Sequence, residues 1–256
     1  MTWRAHPNWE MTGLFLLALV LLIFLMRLTA WFISNPIEAD QPFWLLPSPT
    51  SFRRSRPATN PGQVVLKTVL LFGAALLSYW VYDRLVRAMQ IRGLLLSYCG
   101  APILLLLGET LAGVTTLLAW PSGRLFPPLH NWPPCASSVA DFWGKRWNLW
   151  FSDWFRFAIF RPLHHRPVLA LVLVFAVSGL MHEWVINVPL YFVTGRAVFG
   201  SMMIYFLLQA AGLLLERRIF RKQSNLGRIF TWIVVLAPVP LIINEGLLRA
   251  LHLWPI

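Results

Sequence analysis

The sequence predicts an all-α polytopic membrane protein, with about six to eight transmembrane helices and an amphipathic or re-entrant aromatic helix around 141–160. Three observations carry this expectation. Hydrophobic residues make up 57% of the 256 positions and charged residues only 12%, against roughly 25% charged in a soluble domain. Mean hydropathy is +0.61. Apolar runs repeatedly reach the roughly 20 residues that cross about 30 Å of hydrocarbon. This composition excludes an ordinary soluble domain, and it excludes a disordered chain, which is poor in apolar residues. The whole chain, 1–256, is expected to be a single integral membrane domain.

Taken in order, 13–34 is a first span with one interior charge, Arg27. Residues 35–63 form a polar, Pro-rich loop with Arg53, Arg54 and Arg56. The second span, 64–82, ends in Tyr79, Trp80 and Tyr82, which suit the aromatic belt at a membrane interface. A short basic connector follows with Arg84, Arg87 and Arg92. The third span, 94–119, is long enough to need tilt or a kink near Pro102. Residues 120–167 are the unusual stretch. The fourth and fifth spans are 168–190 and 198–215, then a basic loop at 216–228, then a sixth span at 229–250 interrupted by Pro238 and Pro240.

The net charge is +12. In a polytopic chain this reflects Lys and Arg concentrated in cytoplasmic loops rather than nucleic-acid binding. The two cysteines, Cys99 and Cys135, give neither a disulfide framework nor zinc spacing. The opening MTWRAHPNWE shows no small-residue cleavage pattern, so Gly13 onward is read as a true span.

Residues 141–160 read DFWGKRWNLWFSDWFRFAIF, and nine of the twenty are Phe or Trp. At 100° per residue, Trp143, Trp147, Trp150 and Trp154 fall within about 60° of one another. Lys145, Asn148, Ser152 and Arg156 take the opposite face. The stripe also fits a plain interfacial helix lying on the bilayer. Asn148, at the centre of the polar face, fits that plain role less well, because a ligand can reach it there.

The fourth span holds His182 and Glu183 deep within an apolar run. A titratable group at that depth costs a few kcal/mol and is a functional candidate. Ser178 lies one turn before His182, Gly179 leaves room beside it, and Glu183 can pair with Asn187 one turn on. The plain alternative is a histidine that hydrogen-bonds a neighbouring helix. HEW is not HExxH, so a zinc-protease site is unsupported, and G-x-S-x-G is absent. A proton relay remains open, with Glu109 and Glu245 as further acids; the alternative function is a non-enzymatic polytopic lipid or ion transporter.

FWGKRWN (142–148) and SGLMHEW (178–184), in that order, resemble the wax synthase branch of the membrane-bound O-acyltransferases. Lys145 stands where that family usually has Arg. The resemblance covers roughly 141–190. It implies acyl transfer from acyl-CoA, as co-substrate, to the hydroxyl of a lipophilic acceptor such as a long-chain alcohol, with no other cofactor and no metal. It puts His182 at the catalytic His position and Asn148 at the polar position of the first motif. Lys145, Arg146, Trp147, Arg156 and Ser178 are the expected substrate-binding residues. Expected partners are acyl-CoA, the acceptor and membrane lipids, without nucleic acid. The expected place is a multi-pass position in the endoplasmic reticulum membrane of a eukaryote or the inner membrane of a bacterium.

With six spans, the loops at 35–63, 120–167 and 216–228 share one side and carry 14 Lys and Arg, against six on the other. Positive-inside then places 120–167 and 216–228 in the cytoplasm. Single-cysteine labelling at position 224 is expected from the cytoplasmic side, and labelling only from outside reverses the orientation.

Overall fold

A computed structural model describes residues 7–33, 56–57, 61–122, 124–220 and 224–254. The predicted basic cluster at Arg53 and Arg54 lies outside them. Helix α1 spans Pro7–Ile33, α2 Pro61–Met89 and α3 Leu94–Leu118. A two-residue antiparallel pairing joins Arg56–Pro57 to Arg124–Leu125. The aromatic stretch then forms α4 (Val139–Asp141) and α5 (Leu149–Phe155), each running into a π-helical turn, Phe142–Arg146 and Arg156–Phe160. Helix α6 (Pro167–His182) passes through a third π turn, Glu183–Asn187, into α7 (Val188–Thr194). The chain closes with α8 (Ser201–Ile219), α9 (Asn225–Leu236), α10 (Val239–Ile242) and α11 (Glu245–Ala250).

The all-α membrane architecture is as expected, but the span count differs. Five described helices are long and apolar enough to cross a membrane: Asn8–Ile33, Gly62–Met89, Leu94–Leu118, Pro167–Thr194 and Asn225–Ile242. The expected fifth span is α8, whose last turn carries Glu216, Arg217 and Arg218. The expected sixth, 229–250, breaks into α9, α10 and α11 because proline removes backbone donors at 238 and 240. The expected connector at 84–92 is shorter than its charges suggest. Helix α2 continues to Met89, with Arg87 paired to Asp83 one turn back at 2.8 Å. Both cysteines are free.

The helices divide into an inner and an outer set. Only 11% of the apolar window of Gly62–Met89 is buried, against 44% for Pro167–Thr194. So α2 turns most of its surface outward, with Leu66, Val69, Leu70 and Leu77 exposed, while the α6–α7 helix is the interior one. The main core gathers Met26 of α1, Leu96 and Ile103 of α3, Trp154 of α5, Ile186, Met202 of α8, and Leu247 and Leu248 of α11.

Helix α8 packs closely on α6 at Gly179. A Cβ built at Gly179 would lie 2.9 Å from the Met203 Cα, which is backbone and cannot swing aside. Gly212 plays the same part against Val234 of α9. Gly179→Ala is therefore expected to cost about 1–3 kcal/mol through overpacking, read as a lower unfolding temperature in detergent. Gly73→Ala, where a Cβ meets nothing within 4 Å, is expected not to lower that temperature, since alanine is the better helix former inside α2.

Candidate functional site

The second motif is built along one helix. His182 Nδ1 lies 2.7 Å from the Ser178 carbonyl oxygen, one turn back. A carbonyl can only accept, so Nδ1 carries the proton and the neutral ring has its lone pair on Nε2. The contact is to the Ser178 backbone, so the hydroxyl is not what orients the ring. The imidazole rests against Phe206 of α8, with ring centroids 4.5 Å apart.

Glu183 explains the shape of the next turn. Its Oε2 accepts from Asn187 Nδ2 at 2.7 Å, the pairing expected from sequence. Its Oε1 accepts from the backbone N–H of Met202 at 2.9 Å and of Met203 at 3.4 Å. These are first-turn donors of α8, which have no partner within their own helix. Gly200, at φ +90, precedes that helix and supplies no side-chain cap. Asn187 Nδ2 also donates to Ser201 Oγ at 3.2 Å, and its Oδ1 accepts from Asn244 Nδ2 at 2.8 Å. One buried polar chain thus joins α6, α8 and the start of α11.

The first motif differs from the continuous helix expected there. Asn148 takes a left-handed conformation, φ +40, and its side chain accepts from Phe151 N at 3.4 Å. It is the N-cap of α5, not the centre of a polar face. Asparagine tolerates this backbone better than most residues, because its short side chain bonds locally. The break and the two π turns disperse the tryptophan stripe. Trp143 Nε1 donates to Gln209 of α8 at 3.2 Å, Trp150 Nε1 to the Pro127 carbonyl at 2.9 Å and Trp154 Nε1 to the Met26 carbonyl at 2.8 Å. Trp147 stacks on Phe142, 5.5 Å between centroids. Three of the indoles fasten the stretch to other parts of the chain, Trp143 and Trp154 to helices and Trp150 to a loop, rather than forming a headgroup belt.

Arg146 is committed. Its Nε donates to Asp141 at 2.7 Å and its Nη1 to the carbonyls of Asn131 and Trp132 at 3.3 and 3.2 Å. Arg156 reaches Asp153 at 3.6 Å and the Gly144 carbonyl at 3.4 Å. Lys145 is exposed. Burial works to raise the Asp141 carboxyl, but the bonds from Arg146 and Ser137 outweigh it and hold it below its ordinary value.

The two motifs meet on α8. Phe206 lies between the Trp143 ring, 5.8 Å away, and the His182 ring. No hydrogen bond joins Asn148 to His182 among the described residues. At the other end of α8, buried Glu216 accepts from the N–H groups of Val139 at 2.8 Å and Ala140 at 3.3 Å, capping α4. The capping roles of Glu183 and Glu216, and the Gln209 bond, are not legible locally. A buried glutamine inside an apolar run is the one signal that could have marked them. An apolar groove of about 530 Å³ opens along α9, lined by Tyr98, Arg228, Trp232, Ile233 and Leu236. Trp232 also meets Phe142 of the first motif edge-on.

Residues 126–208 match the family described as "Membrane bound O-acyl transferase family". The chain is 28% identical over 179 residues to the Arabidopsis thaliana protein named "Probable long-chain-alcohol O-fatty-acyltransferase 9", covering 60% of this chain and 51% of that one. It is 25% identical over 173 residues to "Acyl-CoA--sterol O-acyltransferase 1" of Arabidopsis thaliana, covering 64% and 47%. Over 86 residues it is 37% identical to "Long-chain-alcohol O-fatty-acyltransferase" of Simmondsia chinensis, covering 29% and 24%. The chain thus spans about half, or less, of the length of these relatives. The segment 126–208, which contains both motifs, matches the model of this family, and the resemblance to its wax synthase-like branch is borne out.

The Asp141–Arg146 bond makes stability depend on pH. Because the folded carboxyl titrates below its unfolded value, its contribution is complete above the unfolded value and is lost as pH falls through the folded one. Unfolding temperatures measured in detergent from pH 7 down to about 3 are expected to fall less steeply for Asp141→Asn than for the unsubstituted chain.

Proposed function

We propose that this chain is an O-acyltransferase that moves an acyl group from acyl-CoA to the hydroxyl of a lipophilic acceptor, with a long-chain alcohol the best-fitting class. The observation that carries the reading is the fixed tautomer of His182, whose protonated Nδ1 is held by the Ser178 carbonyl and whose Nε2 is left as a proton acceptor. The names of the relatives support the reaction class and the alcohol, and one of them names acyl-CoA and a sterol. The suitable membrane is the endoplasmic reticulum in a eukaryote or the inner membrane in a bacterium.

An alcohol is a weak nucleophile toward a thioester at neutral pH. In this reading His182 Nε2 takes the hydroxyl proton as the new carbon–oxygen bond forms. The tetrahedral intermediate then collapses, the carbon–sulfur bond breaks, and the imidazolium returns the proton to the leaving thiolate. Ester and free CoA thiol balance the step, with no covalent enzyme intermediate and no cofactor or metal. A positioned base of this kind contributes about 10²–10⁴-fold. Asn148 is the proposed donor to the developing oxyanion. Its Oδ1 is taken up by the α5 cap, which leaves the amide N–H groups to donate. Surrounding apolar helices keep water from the thioester. The groove beside Trp232 suits a hydrocarbon tail.

Among the cations, exposed Lys145 is the best placed to meet CoA phosphates. Arg156 is half-engaged, and Arg146 serves the loop itself. Trp147 and Ser178 are assigned to shaping the site, Ser178 through its backbone.

The test is ester formation by membranes carrying the chain, given labelled acyl-CoA and a panel of long-chain alcohols and sterols. His182→Ala is expected to reach the membrane normally and to lose at least about 10²-fold in turnover. Asn148→Ala is expected to lose about 10²–10³-fold. Ser178→Ala is expected to stay near the unsubstituted rate, and Lys145→Ala to raise the acyl-CoA KM. Near-normal esterification by a well-expressed His182→Ala ends this mechanism.

A further inference from the structure

A second histidine lies buried against the first motif, held by an acid from a membrane-spanning helix. Glu109 of α3 accepts at Oε1 both from the His130 backbone N–H, at 3.0 Å, and from His130 Nδ1, at 2.9 Å. The His130 side chain is only 7% exposed. The other face of the imidazole packs on Trp147, 4.6 Å between ring centroids.

The residues on either side of His130 pair with those on either side of Trp147 and Asn148. Asn131 N donates to the Arg146 carbonyl and Leu149 N to the Leu129 carbonyl, both at 2.8 Å. So 129–131 and 146–149 form a small clasp, and the left-handed Asn148 is inside it. A non-glycine residue in that backbone region stores roughly 1–3 kcal/mol unless its surroundings hold it there. A second strained residue, Trp132 at φ +47, directly follows the clasp. Among the described residues, Glu109 is the one side chain that ties the clasp to a long helix through paired hydrogen bonds.

We propose that the Glu109–His130 pair positions Asn148 for acyl transfer, so that His130 is a positioning residue acting through Trp147 and the Asn148 backbone. This rests on the acyltransferase reading and extends it to a residue outside both motifs. Lys67, 3.6 Å from Glu109 Oε2 but with a side chain 65% exposed, contributes little to it, as exposed ion pairs do.

The experiment uses the full chain in membranes, labelled acyl-CoA, and whichever alcohol the unsubstituted chain esterifies. His130→Ala is expected to lower kcat about tenfold or more, a fraction of what losing the oxyanion donor itself costs, with acyl-CoA KM unchanged. Glu109→Ala is expected to match it. Glu109→Gln, whose amide oxygen still accepts both donors, is expected to retain most of the rate, and Lys67→Ala all of it. In the double variant with Asn148→Ala, His130→Ala is expected to add no further loss, because both act through one group. Should His130→Ala fail to accumulate, His130→Phe, which keeps a ring on Trp147 and the backbone N–H but no side-chain donor for Glu109, carries the same expectation. Multiplying losses in the double variant, or an unchanged kcat in either His130 variant, overturns the proposal and leaves the acyltransferase reading standing. No ester from the unsubstituted chain with any alcohol overturns both.

Discussion

The carboxylate of Glu183 is the joint on which the rest of this structure depends. It lies next to His182 in sequence, yet its work is across the helix interface, at the first N–H groups of α8. Those donors have no partner inside their own helix, and a membrane interior offers no water in their place. The partial positive charge at a helix start also favours an anion there. The carboxylate, in turn, is costly to bury alone and is made tolerable by those donors and by Asn187. The same bond that satisfies both groups sets the height of α8 along α6. That height puts Phe206 against the imidazole and Met203 against Gly179.

Helix α8 then passes the constraint on. Glu216, one helix-length further, repeats the device by capping α4, the start of the first motif. Between the two carboxylates, Gln209 takes the Trp143 indole and returns its own amide to the Val234 carbonyl at 2.8 Å. The two motifs are 30 or more residues apart in the chain. They are related in space through a single helix whose two ends are both fastened by buried acids. Removing one partner of such a joint leaves a buried charge or a set of orphaned donors, which is why each is worth more than a surface pair.

The first motif owes its form to strain held in place. Arg146 spends its guanidinium on Asp141 and on two loop carbonyls, and Ser152 Oγ donates back to the Trp143 and Trp147 carbonyls at 3.1 and 3.3 Å. These bonds fold α5 onto the turn before it and keep Asn148 left-handed. A residue kept in a sparsely populated conformation by this many contacts is rigid, and rigidity is what an oxyanion donor needs, since it must be aimed before charge develops.

Much of this was legible in the chain. The apolar runs marked the spanning helices, because a membrane demands about 20 apolar residues whatever the fold around them. His182 stood out because a titratable group is expensive at that depth. The Glu183–Asn187 pair and the Ser178–His182 face followed from i, i+4 geometry, which any helix imposes. The aromatic stretch at 141–160 did not follow. One left-handed residue and two π turns abolish the 100° spacing on which its face was assigned. Nor could local pattern show that Arg146 answers Asp141, that Glu183 and Glu216 cap helices 19 and 77 residues away, or that Glu109 waits for His130. Periodicity constrains only neighbours within a turn or two. Which buried acid meets which distant donor is decided when the helices pack, because only then does each group lose water and need a partner.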